Sequence, residues 1–111
     1  MSETAGPYSI GSGHWPGLAK VAEECAEVIQ VVGKIIAANG EPAHWDGSDL
    51  RARLEDEIAD ARAAMQFVVT ENGLDANRMA DRTAAKIGLF RGWHAGHTDG
   101  SAQVAGVSFR G

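Results

Sequence analysis

Two pairs of acidic residues with the same spacing are the part of this sequence best suited to chemistry. Glu24 and Glu27 form the first pair, and Glu57 and Asp60 form the second. On a helix, residues three apart lie about 5–6 Å from each other between Cβ atoms, so each pair directs two carboxylates to one region. A reversal between two such helices would bring the pairs face to face. Four converging carboxylates repel one another unless a cation lies between them, and oxygen ligands suit Mg²⁺, or Mn²⁺ in its place.

Composition limits the kind of protein that can carry these pairs. The chain has 111 residues, a hydrophobic content of 44% and a net charge of −5. These values predict one small globular domain and argue against a protein that binds nucleic-acid backbones. Cys25 is the single cysteine, so no internal disulfide can form and a cytoplasmic location is expected. The longest apolar run, residues 28–38, is too short and too polar to span a membrane, so no membrane partner is expected.

Helical periodicity recurs in three stretches separated by turn residues. We expect a flexible N-terminal arm over residues 1–13, a helical domain over 14–94 and a C-terminal tail over 95–111. Caps and stops follow from Asp or Ser before a helix and Gly after it. The expected helices run from Leu18 to Gly40, from a cap at Ser48 or Asp49 to Gly73, and from a cap at Asp75 to about Trp93.

The apolar positions of each stretch fall on one face of its helix, and the acidic pairs border these faces. The pattern therefore predicts an all-α fold, with a helical hairpin followed by a third helix. Three short helices bury a small core, which favours a homodimer or homotetramer with a four-helix-bundle type of assembly. The predicted inward positions are Leu18, Val21, Cys25, Val28, Ile29, Val32, Ile35, Ile36, Leu50, Leu54, Ile58, Ala61, Met65, Val68, Val69, Met79, Thr83, Ile87 and Phe90, with Val31 on the edge that carries the acids.

Basic and aromatic residues near the acidic pairs are candidates for contacts with a substrate. Lys20 lies on the same edge as Glu24 and Glu27, and Lys86 lies at the core edge of the third helix, where it could contact a phosphate or pair with an acid. The remaining candidates could stack on a base or serve as ordinary loop packing, and they are His14, Trp15, His44 and Trp45.

Glu-Glu-x-x-Glu at residues 23–27 followed by Glu-x-x-Asp at 57–60 resembles the MazG-like branch of the all-α nucleoside triphosphate pyrophosphohydrolases. The resemblance covers about residues 14–93. It implies a Mg²⁺-dependent site with Glu24, Glu27, Glu57 and Asp60 as metal ligands, and Lys86 near the phosphates. It also implies hydrolysis of a nucleoside triphosphate to the monophosphate and pyrophosphate, in the housecleaning of nucleotide pools. Ile87 departs from the family pattern, in which an asparagine often follows the lysine.

The proposed hydrolysis is chemically plausible independently of the family resemblance. A water molecule would attack the α phosphorus, with Glu24 or Glu27 as the base that accepts its proton. The related phosphoribosyl-ATP pyrophosphohydrolases share the architecture, so that activity is an alternative. A second alternative is a noncatalytic helical oligomerisation or regulatory module whose acids are surface charge. A di-iron carboxylate bundle is a third, although such sites normally add Glu-x-x-His pairs.

Overall fold

The protein is all-α in the part of the chain that the structure describes. The computed structural model describes residues 6–42, residue 47 and residues 49–98. It contains three helices and, within those residues, no strand: α1 (Leu18–Ala37), α2 (Leu50–Glu71) and α3 (Ala76–Thr98). The chain divides into two compact units, residues 1–74 and 75–111. The fold class expected from the sequence is confirmed at this level.

Local capping sets the ends of the helices, largely as the sequence predicts. The Asp49 carboxylate accepts a hydrogen bond from the Ala52 amide at 3.0 Å and caps α2. Asp75 accepts from the Arg78 amide at 3.0 Å in the same way. Such caps satisfy amide groups that have no partner within the helix. After α1, the Gly40 amide donates to the Ile35 carbonyl at 2.9 Å, with Gly40 at φ 81°. The helix expected to end near Trp93 continues to Thr98.

The core of the first unit lies between α1 and α2, which pack against each other. Val31 and Leu50 are completely buried, and Ala61, Ala64 and Val68 are nearly so. Leu50, Ala61 and Val68 were predicted to face inward, and this is confirmed.

The sequence prediction was wrong about the centre of the buried face on α1. Val31, expected at the edge, is 0% exposed, whereas Ile29 and Ile36, expected inside, are each 70% exposed. The apolar arc of α1 is wider than the seam with α2 can cover. One side of the helical pair therefore keeps exposed apolar side chains, and these include Leu18, Ile29, Val32, Ile36, Ile58 and Met65.

The second unit contains α3, and none of its described side chains is buried. Met79, Ile87 and Phe90, expected to face inward, are substantially exposed. Phe90 and Trp93 lie close together, with ring centroids 5.6 Å apart. No described helix has both the length and the apolar character needed to cross a membrane.

Residues 6–17, here called the N-terminal loop, fold back onto the start of α1. The Ala19 amide donates to the Tyr8 carbonyl at 2.8 Å, and the Gly17 amide donates to the Ser9 carbonyl at 3.0 Å. At the same end of the seam, the Asn72 side-chain amide donates to the Pro16 carbonyl at 3.1 Å and ties the loop to the end of α2. Of the arm predicted over residues 1–13, the first five lie outside the described residues. The rest belong to this hydrogen-bonded loop.

Candidate metal centre

The buried face of α1 carries the first acidic pair. Seven residues make almost two helical turns, so Glu24 lies only about 20° from Val31 around the helix axis. Because Val31 is buried between the helices, Glu24 is also directed toward α2. Glu24 and Glu27 are both half-buried. The acids are therefore part of the seam between the helices, whereas the sequence placed them along the border of the apolar stripe.

The second acidic pair lies on the facing side of α2. Glu57 precedes the buried Ala61 by four residues and the buried Ala64 by seven, so it occupies the same face of the helix. Its side chain is only 16% exposed. Asp60 lies on the flank of this face and is exposed. The pair thus offers one carboxylate inside the seam and one at its open edge.

Three of the four predicted ligands come together. Glu24, Glu57 and Asp60 each offer a carboxylate oxygen, and these oxygens all lie within 4.8 Å of one another. Two ligands on opposite sides of Mg²⁺ are about 4 Å apart, since each bond is about 2.0–2.1 Å long. The three oxygens are therefore close enough to share one ion, and the all-oxygen donor set is of the type that Mg²⁺ and Mn²⁺ prefer. Glu27 is outside this group of three.

The electrostatics of Glu57 reflect both burial and its acidic neighbours. Burial raises the pKa of the Glu57 carboxyl above its ordinary value, and the charges of Glu27, Asp60 and Glu24 raise this pKa further. Arg53 acts in the opposite direction, with its Nη2 atom 3.9 Å from Glu57 Oε2. The net direction is upward, so one guanidinium does not offset burial and three like charges. A cation among the carboxylates would remove this penalty.

Of the basic candidates named from the sequence, Lys20 lies at the edge of the centre, where it lines a cavity with Glu24 and Asp60. Its Nζ atom lies 2.8 Å from Glu23 Oε1. This hydrogen bond and the charge of Glu23 raise the pKa of the Lys20 ammonium, and Glu24 contributes in the same direction. The ammonium is thus held in its charged form next to the carboxylates. Glu23, expected to face solvent, is exposed.

A cavity of about 370 Å³ adjoins the carboxylates on the same side of the helical pair. Two of its walls, Ile10 and Phe67, were not among the candidates from the sequence. Phe67 lies seven residues after Asp60 and so near the same side of α2, a spacing that could have nominated it. No local signal could have nominated Ile10, because its place depends on how the N-terminal loop folds back. The lining residues are Ile10, Lys20, Glu24, Asp60, Ala63, Ala64 and Phe67.

The other predicted substrate contacts are not among the residues that line this cavity, or they fall outside the described residues. The His14 ring packs on Tyr8 with centroids 5.2 Å apart, and Trp15 is exposed. Lys86 belongs to the second unit, where its ammonium lies 5.7 Å from the centroid of the Phe90 ring. Its contact with a phosphate stays a prediction. Trp45 and His44 lie outside the described residues.

Comparisons of the chain with family models, with curated protein sequences and with solved structures find no match. The family resemblance of the acidic motif therefore stays a prediction.

Proposed function

We propose that this chain is a Mg²⁺-dependent nucleoside triphosphate pyrophosphohydrolase, which converts a nucleoside triphosphate and water to the monophosphate and pyrophosphate. The observation that carries the proposal is the group of three carboxylate oxygens from Glu24, Glu57 and Asp60, all within 4.8 Å of one another. Glu57 is largely buried there among like charges. Burial among like charges disfavours the charged carboxylate, and a bound cation would offset that cost.

Glu24, Glu57 and Asp60 would hold the divalent ion. When bound, Mg²⁺ or Mn²⁺ supplies positive charge that neutralises the phosphate oxygens of the substrate. The chain's own contribution is to fix three oxygens on two packed helices, so that the donor set is arranged before the substrate binds. Lys20, at the edge of the same centre, adds a permanent positive charge that attracts the anionic triphosphate.

Glu27 is the best placed of the four acids to act as a base. It is half-buried and close enough to raise the pKa of Glu57, but it is not one of the three grouped ligands. A water oxygen forms a bond to the α phosphorus, and one of the water protons passes to the Glu27 carboxylate. The bond from the α phosphorus to its bridging oxygen breaks, and pyrophosphate leaves with that electron pair.

Pyrophosphate release is the direct test of the proposal. The protein is incubated with each ribo- and deoxyribonucleoside triphosphate, and with phosphoribosyl-ATP, in the presence of Mg²⁺. We expect pyrophosphate from at least one of them, with a loss of at least a hundredfold in kcat for Glu27→Gln, the scale of a general base. For Asp60→Asn we expect loss of both turnover and Mn²⁺ binding.

Glu55→Gln is the matched control, because it neutralises one exposed acid on the same helix outside the group of three. Its turnover and Mn²⁺ affinity are expected to equal those of the unchanged protein. Absence of pyrophosphate from every nucleotide, together with a melting temperature that ignores divalent ions, would favour the noncatalytic module instead.

The exposed apolar side of the α1–α2 pair supports the expected assembly of two or four copies. Ile29 and Ile36 are each 70% exposed, and Ile58 and Met65 lie exposed on the neighbouring helix. Large apolar patches of this kind are typical of interfaces between proteins. Sedimentation analysis should give a dimer or tetramer, and Ile29→Glu should reduce the mass toward that of one chain. A protein that is already monomeric at high concentration would refute the assembly but leave the proposed reaction untouched.

A further inference from the structure

The cavity beside the carboxylates has two chemically different ends. Glu24 and Asp60 form the charged end, where a metal and a phosphate chain would bind, and Lys20 lines the cavity from α1 between Glu24 and Gly17. Ala63, Ala64 and Phe67 continue along α2 away from Asp60, and Ile10 from the N-terminal loop completes the wall. The described side chains at this second end carry no polar group. It therefore suits the apolar part of a ligand whose anionic part occupies the charged end.

The length of the cavity can be judged from the helix that forms its floor. Phe67 follows Asp60 by seven residues, which is about 10 Å of rise along α2. Ala63 and Ala64 lie between them, and their small methyl side chains leave space above the helix. A nucleotide whose phosphates bind the metal beside Asp60 would thus meet a shallow apolar surface first and the Phe67 ring at the far end.

The N-terminal loop is fixed to this wall by its own contacts. The Gly17 Cα is so close to Phe67 that a Cβ atom added there would lie 2.6 Å from the ring. The Asn72 side chain holds the Pro16 carbonyl at 3.1 Å. Ile10 is carried by the same loop, through hydrogen bonds that join Tyr8 and Ser9 to Ala19 and Gly17. Loop, ring and cavity wall thus form one packed structure.

We propose that the apolar end of this cavity, formed by Ile10, Ala63, Ala64 and Phe67, is the subsite for the nucleobase, and that Ile10 and Phe67 determine which bases are accepted. The inference rests on the proposed function. Apolar and aromatic surfaces accept the face of any base without reading its hydrogen-bonding edge. Selection at this subsite follows size and apolar surface, and discrimination between substrates that differ by one methyl group is about 10- to 200-fold.

Ala63→Trp is the variant that tests the subsite. Ala63 lines the cavity and is exposed, so a larger side chain can enter the cavity without replacing a buried neighbour. Ala52→Trp is the matched control, because Ala52 is an exposed alanine on the same helix that does not line the cavity. For the best nucleoside triphosphate, we measure KM, kcat and the inhibition constant of inorganic tripolyphosphate, which has the phosphate chain but no base. Mn²⁺ affinity is measured by calorimetry.

We expect Ala63→Trp to raise KM at least tenfold relative to Ala52→Trp, with the tripolyphosphate inhibition constant and the Mn²⁺ affinity changed less than twofold. Ile10→Ala, a half-exposed position, should change the ratio of kcat/KM between purine and pyrimidine substrates at least threefold. Equal KM values in the two tryptophan variants would overturn the subsite while leaving the hydrolase intact. An equal rise of KM and of the inhibition constant would also overturn it, because the blocked region would be the phosphate end. A protein that neither binds Mn²⁺ nor cleaves any nucleotide refutes the proposed function, and the subsite with it.

Discussion

Replacement of Gly17 by alanine should destabilise the first unit more than the same change at Gly40, Gly47 or Gly73, which also have a positive φ. Gly17 is buried at the start of α1 and has φ 87°, a conformation that L side chains rarely adopt. A Cβ atom added there would lie 2.6 and 2.8 Å from two carbons of the Phe67 ring, and 3.3 Å from Val68 Cγ2. The Phe67 contacts are below van der Waals distance, so the ring or the loop must move.

The size of the effect follows from two separate costs. A residue with a Cβ atom in the left-handed region costs about 1–2 kcal/mol. Forcing an extra methyl group into a packed contact costs about 1–3 kcal/mol more. We therefore expect Gly17→Ala to reduce the free energy of unfolding by about 2–5 kcal/mol, a large part of the 5–15 kcal/mol of a typical domain.

Gly40→Ala separates the two costs. Gly40 has φ 81°, and a Cβ atom added there meets nothing within 4 Å. It should show the backbone cost alone, about 1–2 kcal/mol. Both variants are unfolded in urea at low temperature and followed by far-UV circular dichroism, and the free energies of unfolding are obtained by linear extrapolation.

A smaller side chain at position 67 provides the decisive comparison. If the ring causes the extra loss, Gly17→Ala should cost about 1–3 kcal/mol less in a Phe67→Ala background than alone, as a double-mutant cycle measures. Equal losses for Gly17→Ala and Gly40→Ala, with no coupling to position 67, would refute the close contact between loop and ring. The proposed base subsite would then lose its fixed wall.

The acid cluster and the cap of α2 give four further expectations. The pKa of Glu57 is raised, so between the ordinary glutamate pKa and the raised one the folded chain keeps a proton that the unfolded chain has lost. The stability of the metal-free protein should therefore fall as pH rises through this window. Thermal melts across the window check the sign. Mn²⁺ must displace that proton, so the affinity of the protein for Mn²⁺, measured by calorimetry, should decrease as pH falls through the same window. Glu57→Gln should raise the melting temperature of the metal-free protein but abolish the further rise that Mn²⁺ causes. Asp49→Ala removes the cap on the Ala52 amide and should cost about 1 kcal/mol in urea unfolding, and no loss would mean that another group caps α2.

The starts of α2 and α3 and the end of α1 could be predicted from the sequence because local chemistry sets them, whereas the end of α3 was predicted too early. The side chains of Asp49 and Asp75 each accept a hydrogen bond from the amide three residues ahead, and these local contacts do not depend on tertiary structure. Gly40 ends α1 because it adopts a positive φ at little cost. The positive φ of Tyr8 and Trp15 could not be predicted in this way, since neither residue type favours it. These two conformations depend on the tertiary contacts of the N-terminal loop.

The buried face of α1 could not be predicted because periodicity locates all apolar surface, including the part that stays exposed. Ile29 and Ile36 shifted the expected centre of the stripe away from the true seam, which passes through Val31. The spacing of the acids was nevertheless sufficient to nominate Glu24 as facing the second pair. Spacing alone did not show that Glu27 lies outside the group of three, because that depends on how the two helices are rotated against each other.

The position of Glu57 favours the enzyme that we propose over the noncatalytic module. An oligomerisation module needs an apolar surface, and Ile29 and Ile36 already supply one on the opposite side of the helical pair. Such a module would be more stable with an apolar residue at position 57. Burial and the neighbouring acids both disfavour the charged form of the Glu57 carboxyl, as its raised pKa indicates. Local rules of this kind are broken mainly at functional sites. The cation that we propose would offset this cost, because oxygens of Glu24, Glu57 and Asp60 lie within 4.8 Å of one another.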